Sequence, residues 1–289
     1  MTGHKGTFGT VAVVGGSCAG DGKMIGAPAL SAKAALRAGC GLVRLAMPEP
    51  VLAAGIVMAP WATGVGIRTD EGGEILPHEA SAVIDRLVVS ATCLVIGPGM
   101  GMGPGSMAAS LRAVQQESVP VVVDADALNC LSQVPQLHAD FHARAVLTPH
   151  PGEFERLAKA FRIAGNPTDA AQRPGAAASL AQRLGCIVVL KGAGTVVSDG
   201  IRTWVCRHGH PVLGTAGTGD VLAGLIGGLA AQYAAHEDSA LSLFDAARVA
   251  VQAHAIAGEE WAQTHSASAG LLATELADEL PAVLEAMRG

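Results

Sequence analysis

Gly214-Thr215-Ala216-Gly217-Thr218-Gly219-Asp220 runs without a break into Val221-Leu222-Ala223-Gly224-Leu225, and this junction restricts the fold more than any other stretch. Gly214, Gly217 and Gly219 fall within six residues. Glycine loses much backbone freedom on ordering and brings no side chain to pack, so the stretch reads as a loop. Val221 to Ala235 has no proline and is rich in Ala and Leu, which predicts a buried helix. A glycine loop opening onto a helix start offers unpaired N–H groups and the positive end of the helix dipole, a site for an anion and typically for phosphate. Asp220 places a carboxylate at the mouth of that site, where it would repel bound phosphate. One reading makes Asp220 a general base that takes a proton from a hydroxyl attacking the held phosphoryl group. The other makes it a helix N-cap. A cap needs no glycines around it, so the cluster favours the base.

The rest of the composition narrows the class. Of 289 residues half are hydrophobic and 15% are charged, enough for a large core and too apolar for a disordered chain. A net charge of −6 with no Lys/Arg run argues against a nucleic-acid surface. Any phosphate must then be held by local loops. Six cysteines are scattered with no CxxC, which points to neither a zinc site nor a disulfide framework. The first nine residues lack a signal-peptide pattern, and the longest apolar stretch, Val221 to Ala231, is too short to span a membrane. The expectation is a cytoplasmic protein without membrane or nucleic-acid partners.

Along the chain, short β-branched runs alternate with helical stretches. Thr10 to Val14 is a buried strand ending at Gly15-Gly16, followed by a helix from Ala27 to Ala38 closed by Gly39. Leu42 to Ala46 is the next strand, whereas Gly, Pro and Thr break every period between Pro48 and Gly73. Cys93 to Ile96 is a central strand running into Gly97-Pro98-Gly99-Met100-Gly101-Met102-Gly103, where open α/β sheets bind ligands. A helix is expected over Ser106 to Glu117. A strand over Pro120 to Val123 ends in Asp124-Ala125-Asp126, and a helix N-cap is the favoured reading of Asp126 over a ligand role. Ala145 to Leu147 leads to Thr148-Pro149-His150-Pro151-Gly152-Glu153, in which two prolines fix the backbone around His150. Glu153 lies in the first turn of a helix reaching Phe161, where the dipole favours it. Gly165 to Gly175 reads as a surface linker before a helix over Ala176 to Leu184. Ile187 to Leu190 ends in Lys191-Gly192-Ala193-Gly194-Thr195, well placed to meet phosphate or a nucleotide, although an exposed turn lysine would look the same. A hairpin around Asp199-Gly200 and helices over Ser239 to Ala257 and Leu271 to Met287 complete the chain. Alternation of this kind predicts one α/β domain over 1–289 with a doubly wound, mostly parallel sheet flanked by helices.

Neither GxxxxGK[ST] nor a GxGxxG followed by an acidic residue at the right distance is present. The late Gly-Thr-Gly-Asp instead resembles the anion hole of the ribokinase-like superfamily, in which the loop holds phosphate oxygens and the Asp activates an acceptor hydroxyl. His150 stands where the vitamin kinases of that superfamily carry Asn. Together with Val95 to Gly101, Asp124 to Asn129, Lys191-Gly192 and Gly214 to Gly224, the chain resembles the ADP-dependent NAD(P)H-hydrate dehydratase family over nearly its whole length. The family often carries a fused N-terminal epimerase domain; the chain begins at the dehydratase part, so that activity is expected to be absent.

The resemblance implies repair of the hydrated nicotinamide cofactors NADHX and NADPHX by ADP-coupled loss of water. It implies Asp220 as the catalytic base and Gly217, Thr218 and Gly219 as the anion hole. Lys191, Gly192, Ala193, Gly194, Thr195 and Gly219 would hold the adenine nucleotide. Ala29, Gly101, His150 and Asp220 would line the substrate side, and Glu153 would steady a water-bound Mg²⁺. A homo-oligomer is expected. Two other classes stay open: a small-molecule kinase of the same superfamily, against which His150 counts, and a non-enzymatic adenine-nucleotide sensor, which would not need Asp220.

Overall fold

Strands that read as uninterrupted apolar runs need cover on both faces, and the chain provides it with two helical layers. The computed structural model describes residues 3–134, 136–235 and 239–288. The first half runs β1 (Thr10–Val14), α1 (Gly26–Arg37), β2 (Leu42–Pro48), α2 (Glu49–Met58), β3 (Thr63–Ile67), α3 (Pro77–Val88), β4 (Cys93–Ile96), α4 (Pro104–Gln115), β5 (Val121–Val123) and α5 (Ala125–Leu131). The second half runs β6 (Ala145–Leu147), α6 (Pro151–Phe161), α7 (Arg173–Leu184), β7 (Ile187–Leu190), β8 (Val196–Ser198), β9 (Thr203–Val205), α8 (Thr218–Tyr233), α9 (Leu243–His265) and α10 (Ala273–Arg288). Among the described residues the strands form one sheet ordered β3-β2-β1-β4-β5-β6-β7-β8-β9. It is parallel from β3 through β7, and β8 and β9 add an antiparallel edge.

Alternation along each strand divides the core in two. Val11 and Val13 of β1 face the layer built by α1, α2, α8, α9 and α10. Ala12 and Val14 face the layer of α3, α4, α5, α6 and α7. No helix among the described residues is long and apolar enough to cross a membrane. All six cysteines are free and buried.

Several boundaries differ from the sequence expectation, each for a local reason. The unreadable segment after Pro48 contains α2 and β3. In α2 only Val51 and Gly55 are buried although most residues are apolar, so it carries no clean stripe. β3, with sequence Thr-Gly-Val-Gly-Ile, owes its strand form to pairing with β2 at the sheet edge. α3 has no counterpart in the sequence expectation, and α5, implied there only by a cap at Asp126, starts at Ala125. α4 starts two residues early, at Pro104, because proline suits the first helical position. The expected surface linker ends at Arg173, which opens α7 and is 5% exposed.

α8 is wedged between the sheet and α1 by small residues. A Cβ added to Gly224 would lie 2.1 Å from the Ser31 carbonyl oxygen, and one on Gly227 would lie 2.4 Å from Val95. The Ser31 hydroxyl donates to the Asp220 carbonyl at 2.8 Å, tying the first turn of α8 to α1. Gly224→Ala should therefore force the two helices apart and cost about 1–3 kcal/mol. Gly175→Ala, in the exposed first turn of α7 with no heavy atom within 4 Å of the new Cβ, should instead gain about 0.4–1 kcal/mol. Urea denaturation of both variants checks the contrast.

Candidate active site

The sheet reverses its winding between β1 and β4: β2 and β3 extend one way, β5 to β9 the other. The crevice beyond the carboxyl ends of strands at such a switch point is where doubly wound sheets bind ligands. β1 delivers Gly15-Gly16 there and β4 delivers the Gly97–Gly103 loop, with the Gly16 N–H donating to the Pro98 carbonyl at 2.9 Å. The neighbouring strands deliver Asp124, Thr148 and Lys191, each directly after the last strand residue.

These side chains close into a buried polar cluster. The Lys191 ammonium lies 2.7 Å from Asp124 Oδ1, and the Thr148 hydroxyl donates to the same oxygen at 2.6 Å. Lys191 is also 3.9 Å from Glu153 Oε2. Burial works against the Lys191 charge, but Asp124, Glu153 and Asp220 outweigh it and raise its pKa. Asp220 is pushed up to about 7, first by burial and then by Asp124, with Lys191 pulling the other way. Glu153 is also pushed up to about 7, chiefly by burial, against the pull of Lys191. Two carboxyl groups thus exchange protons near neutrality within the field of one lysine.

The N-cap reading of Asp220 is overturned. The cap position of α8 is Gly217, at φ 91°, a left-handed conformation that glycine adopts without strain. Asp220 is the third residue of the helix, so its carboxylate is free of any capping duty. The Thr218 hydroxyl is engaged with the carbonyls of Leu213 and Thr215 at 2.8 and 2.9 Å. First-turn amides such as those of Gly219 and Asp220 precede any intrahelical partner and remain available to an anion. From α9, the His254 Nε2–H donates to the Thr218 carbonyl at 2.9 Å, and burial lowers the His254 pKa to about 4. A neutral imidazole therefore supports the loop without adding charge.

Beside this helix start opens a cavity of about 550 Å³, lined by all six residues expected at the nucleotide, Lys191, Gly192, Ala193, Gly194, Thr195 and Gly219. Arg207, His208 and His254 also line it. That volume falls in the range of small-molecule sites. Underneath, Arg173 donates to the carbonyls of Pro167, Leu190 and Lys191 at 2.6, 2.8 and 3.2 Å and props the Lys191 turn from below.

Gly101, His150 and Glu153 do not line this cavity. The Gly101 N–H donates to Asp126 Oδ2 at 2.9 Å, and a Cβ on Gly101 would meet nothing closer than Ser17 at 3.9 Å, so the loop is open to approach. Asp126 is therefore not the N-cap of α5; Asp124 holds that position, and Asp126 reaches back to the β4 loop. His150 caps α6. Its Nδ1 accepts from the Gly152 and Glu153 amides at 3.0 and 3.4 Å, and Glu153 Oε2 accepts from the His150 N–H at 2.8 Å, closing a capping box. Burial first, then Lys191 and Arg156, lower the His150 pKa, so the ring is neutral with its proton on Nε2, 3.4 Å from Glu153 Oε1. Ala29 is 4% exposed, packed in the core on α1. Among the described residues no group of three His, Cys, Asp or Glu side chains is arranged to hold a metal.

Thr148, Arg173 and His254 had not been read as site residues. For Thr148 the signal was its place directly after a strand, in line with Asp124 and Lys191. Arg173 and His254 carry no local signal, since their partners are remote backbone carbonyls.

The doubly wound sheet superposes on a ribokinase-like superfamily protein of Enterococcus faecalis with a TM-score of 0.76 at 24% identity, covering 98% of this chain and 89% of that one. A sequence profile described as NAD(P)H-hydrate dehydratase matches residues 11–282, and the chain belongs to this family. It is 36% identical over 286 residues to the ADP-dependent (S)-NAD(P)H-hydrate dehydratase of Xanthomonas campestris, covering 98% of this chain and 90% of that protein. It is 38% identical over 277 residues to the bifunctional NAD(P)H-hydrate repair enzyme Nnr of Coxiella burnetii, covering 94% of this chain and 50% of that protein. The chain thus spans about half the length of the bifunctional relatives it matches. The ADP/ATP-dependent NAD(P)H-hydrate dehydratase of Bacillus subtilis, co-crystallised with ATP/Mg²⁺, superposes with a TM-score of 0.76 at 29% identity, covering 98% of this chain and 91% of that one.

The central ion pair carries a prediction of its own. Lys191→Met strands the buried Asp124 carboxylate with only the Thr148 hydroxyl, and should cost about 3–5 kcal/mol. The double variant Lys191→Met/Asp124→Asn should recover more than half of that loss in urea denaturation.

Proposed function

We propose that the chain catalyses ADP-dependent dehydration of NADHX or NADPHX to the reduced cofactor. The observation that carries this reading is Asp220: a half-buried carboxyl group on the first turn of a glycine-capped helix, next in sequence to Gly219 of the nucleotide-sized cavity, with a pKa pushed up to about 7. A general base works best with a pKa close to the working pH. Family membership names the hydroxyl it would deprotonate, on the hydrated ring of the nicotinamide.

ADP would lie in the cavity along Lys191 to Thr195, its terminal phosphate against the Gly217, Thr218 and Gly219 amides. Asp220 takes the ring hydroxyl proton as that oxygen attacks the terminal phosphorus and AMP departs. The amides and Lys191 meet the charge that develops on the transferring group. The ring nitrogen then expels phosphate, a far better leaving group than hydroxide, and loss of a proton from the neighbouring carbon restores the ring double bond. Gly101 and the Nε2–H of His150 face the nicotinamide in this reading, and Ala29 contributes through the backbone of α1.

Mg²⁺ commonly binds through one or two carboxylates together with substrate phosphates. Glu153 suits such a role, since a buried carboxyl pushed up to about 7 gains from a nearby cation. When bound, Mg²⁺ would supply charge neutralisation on the phosphates. The reading further takes 1–289 as one ribokinase-like unit, supported by the single sheet, working in the cytoplasm as a homo-oligomer.

Recovery of reduced-nicotinamide absorbance from NADHX and ADP tests the activity directly; no recovery with any adenine nucleotide would refute it. Because the base form of Asp220 is populated only above about pH 7, the rate should rise through that pH. Asp220→Asn keeps size and removes the proton acceptor, so turnover should drop about 10²–10⁴-fold.

Stability should move in the opposite sense. The folded pKa of Asp220 lies above its ordinary value of 3.8, so its contribution is fully present below about pH 4 and is lost as pH rises through about 7. Asp220→Asn has no proton to lose and should match or exceed the parent Tm at pH 8. A clear drop in Tm there would show that the carboxylate stabilises the fold.

A further inference from the structure

Asp124 and Asp126 leave the end of β5 in different directions, and the residue between them is what separates them. Ala125 has φ 49°, a left-handed backbone that a non-glycine residue holds only where its surroundings enforce it. Asp124 goes to Lys191 and Thr148, on the nucleotide side. Asp126 goes to the Gly101 N–H at 2.9 Å, the bond that connects α5 with the glycine loop after β4. That loop has four glycines in seven residues and few side chains of its own to hold it. The Cys130 thiol, one turn further along α5, faces the Gly101 carbonyl at 3.9 Å, so both polar groups of Gly101 point toward the same short helix.

We propose that Asp126 is a positioning residue for the substrate: it holds the Gly101 amide, and with it the loop face against which the hydrated nicotinamide lies, by accepting one hydrogen bond. The inference rests on the dehydratase reading above. What matters is the acceptor oxygen, not the negative charge. Asn at the same position keeps an oxygen at the same distance along the side chain; Ala removes it. A merely structural role would disturb both substrates together, whereas this role separates them, because Asp126 reaches the Gly101 loop and does not line the nucleotide cavity.

The experiment compares the parent protein with Asp126→Ala and Asp126→Asn, measuring KM for NADHX and for ADP separately. Asp126→Ala should raise KM for NADHX about tenfold or more, the scale of one lost hydrogen bond to a charged group, and leave KM for ADP within about twofold. Asp126→Asn should bring the NADHX value back to within about threefold of the parent. Should Asp126→Ala fail to fold, Asp126→Ser, which keeps a polar group in the first turn but is too short to reach Gly101, takes its place. Equal shifts in both constants, or no rescue by Asn, would overturn the positioning role while the dehydratase reading stands. A parent protein that fails to turn over NADHX would instead remove that reading, and this inference with it.

Discussion

The close approach of α8 to α1 and to the sheet is the constraint on which the site depends. Gly224, Gly227 and Gly228 bring the helix so near that a single methyl group would collide with Ser31, Val95 or Ala35. Only at that separation does the N-terminus of α8 reach the carboxyl ends of β5, β6 and β7, with Asp220 in the field of Asp124 and Lys191. A bulkier helix would fill the same layer of the core while holding its positive end away from the crevice. Dipole, unpaired amides and carboxylate are thus delivered together by one packing contact.

Charge balance inside the crevice follows from that placement. Four carboxyl groups, Asp124, Asp126, Glu153 and Asp220, act on a region where Lys191 is the central cation. Asp124 takes the lysine in a direct ion pair, and burial first, with the Asp124 charge behind it, raises the proton affinities of Glu153 and Asp220 toward neutrality against the pull of Lys191. A buried ion pair contributes little net stability against a well-packed apolar pair. In the proposed reaction its value would lie in the field it leaves at Asp220, since a base with a pKa near the working pH both accepts and returns a proton readily.

Several site residues already have structural duties. His150 and Glu153 cap α6 reciprocally, His254 supports the Thr218 carbonyl, and Arg173 props the Lys191 turn. Such bonds hold their side chains in single orientations, which is how a scaffold keeps reacting groups in place without ordering them anew for each turnover. They also explain why a histidine between two prolines reads ambiguously: capping occupies Nδ1 and leaves Nε2 to a different partner.

The mostly parallel sheet, most of its strands and the glycine loops at their ends were legible in the sequence, because apolar runs of strand length and glycine-rich breaks are local signals. That Lys191 to Thr195 follow a strand and Gly219 opens a helix was legible for the same reason, whereas their sharing one cavity was not. α2, β3 and α5 were not, since an all-round apolar helix, a glycine-bearing edge strand and a seven-residue helix lack a period strong enough to read. The job of Asp126 was misread as a cap, because nothing near it in sequence announces that its partner lies 25 residues away at Gly101. By itself the sequence determined which residues stand at strand and helix ends, a matter of local propensity and hydrophobic period. Only the tertiary structure decided which of those ends meet, and so which carboxyl groups lose water, pair with Lys191 or hold a proton near neutrality, because desolvation and Coulomb forces depend on distances that the chain sets only once it has packed.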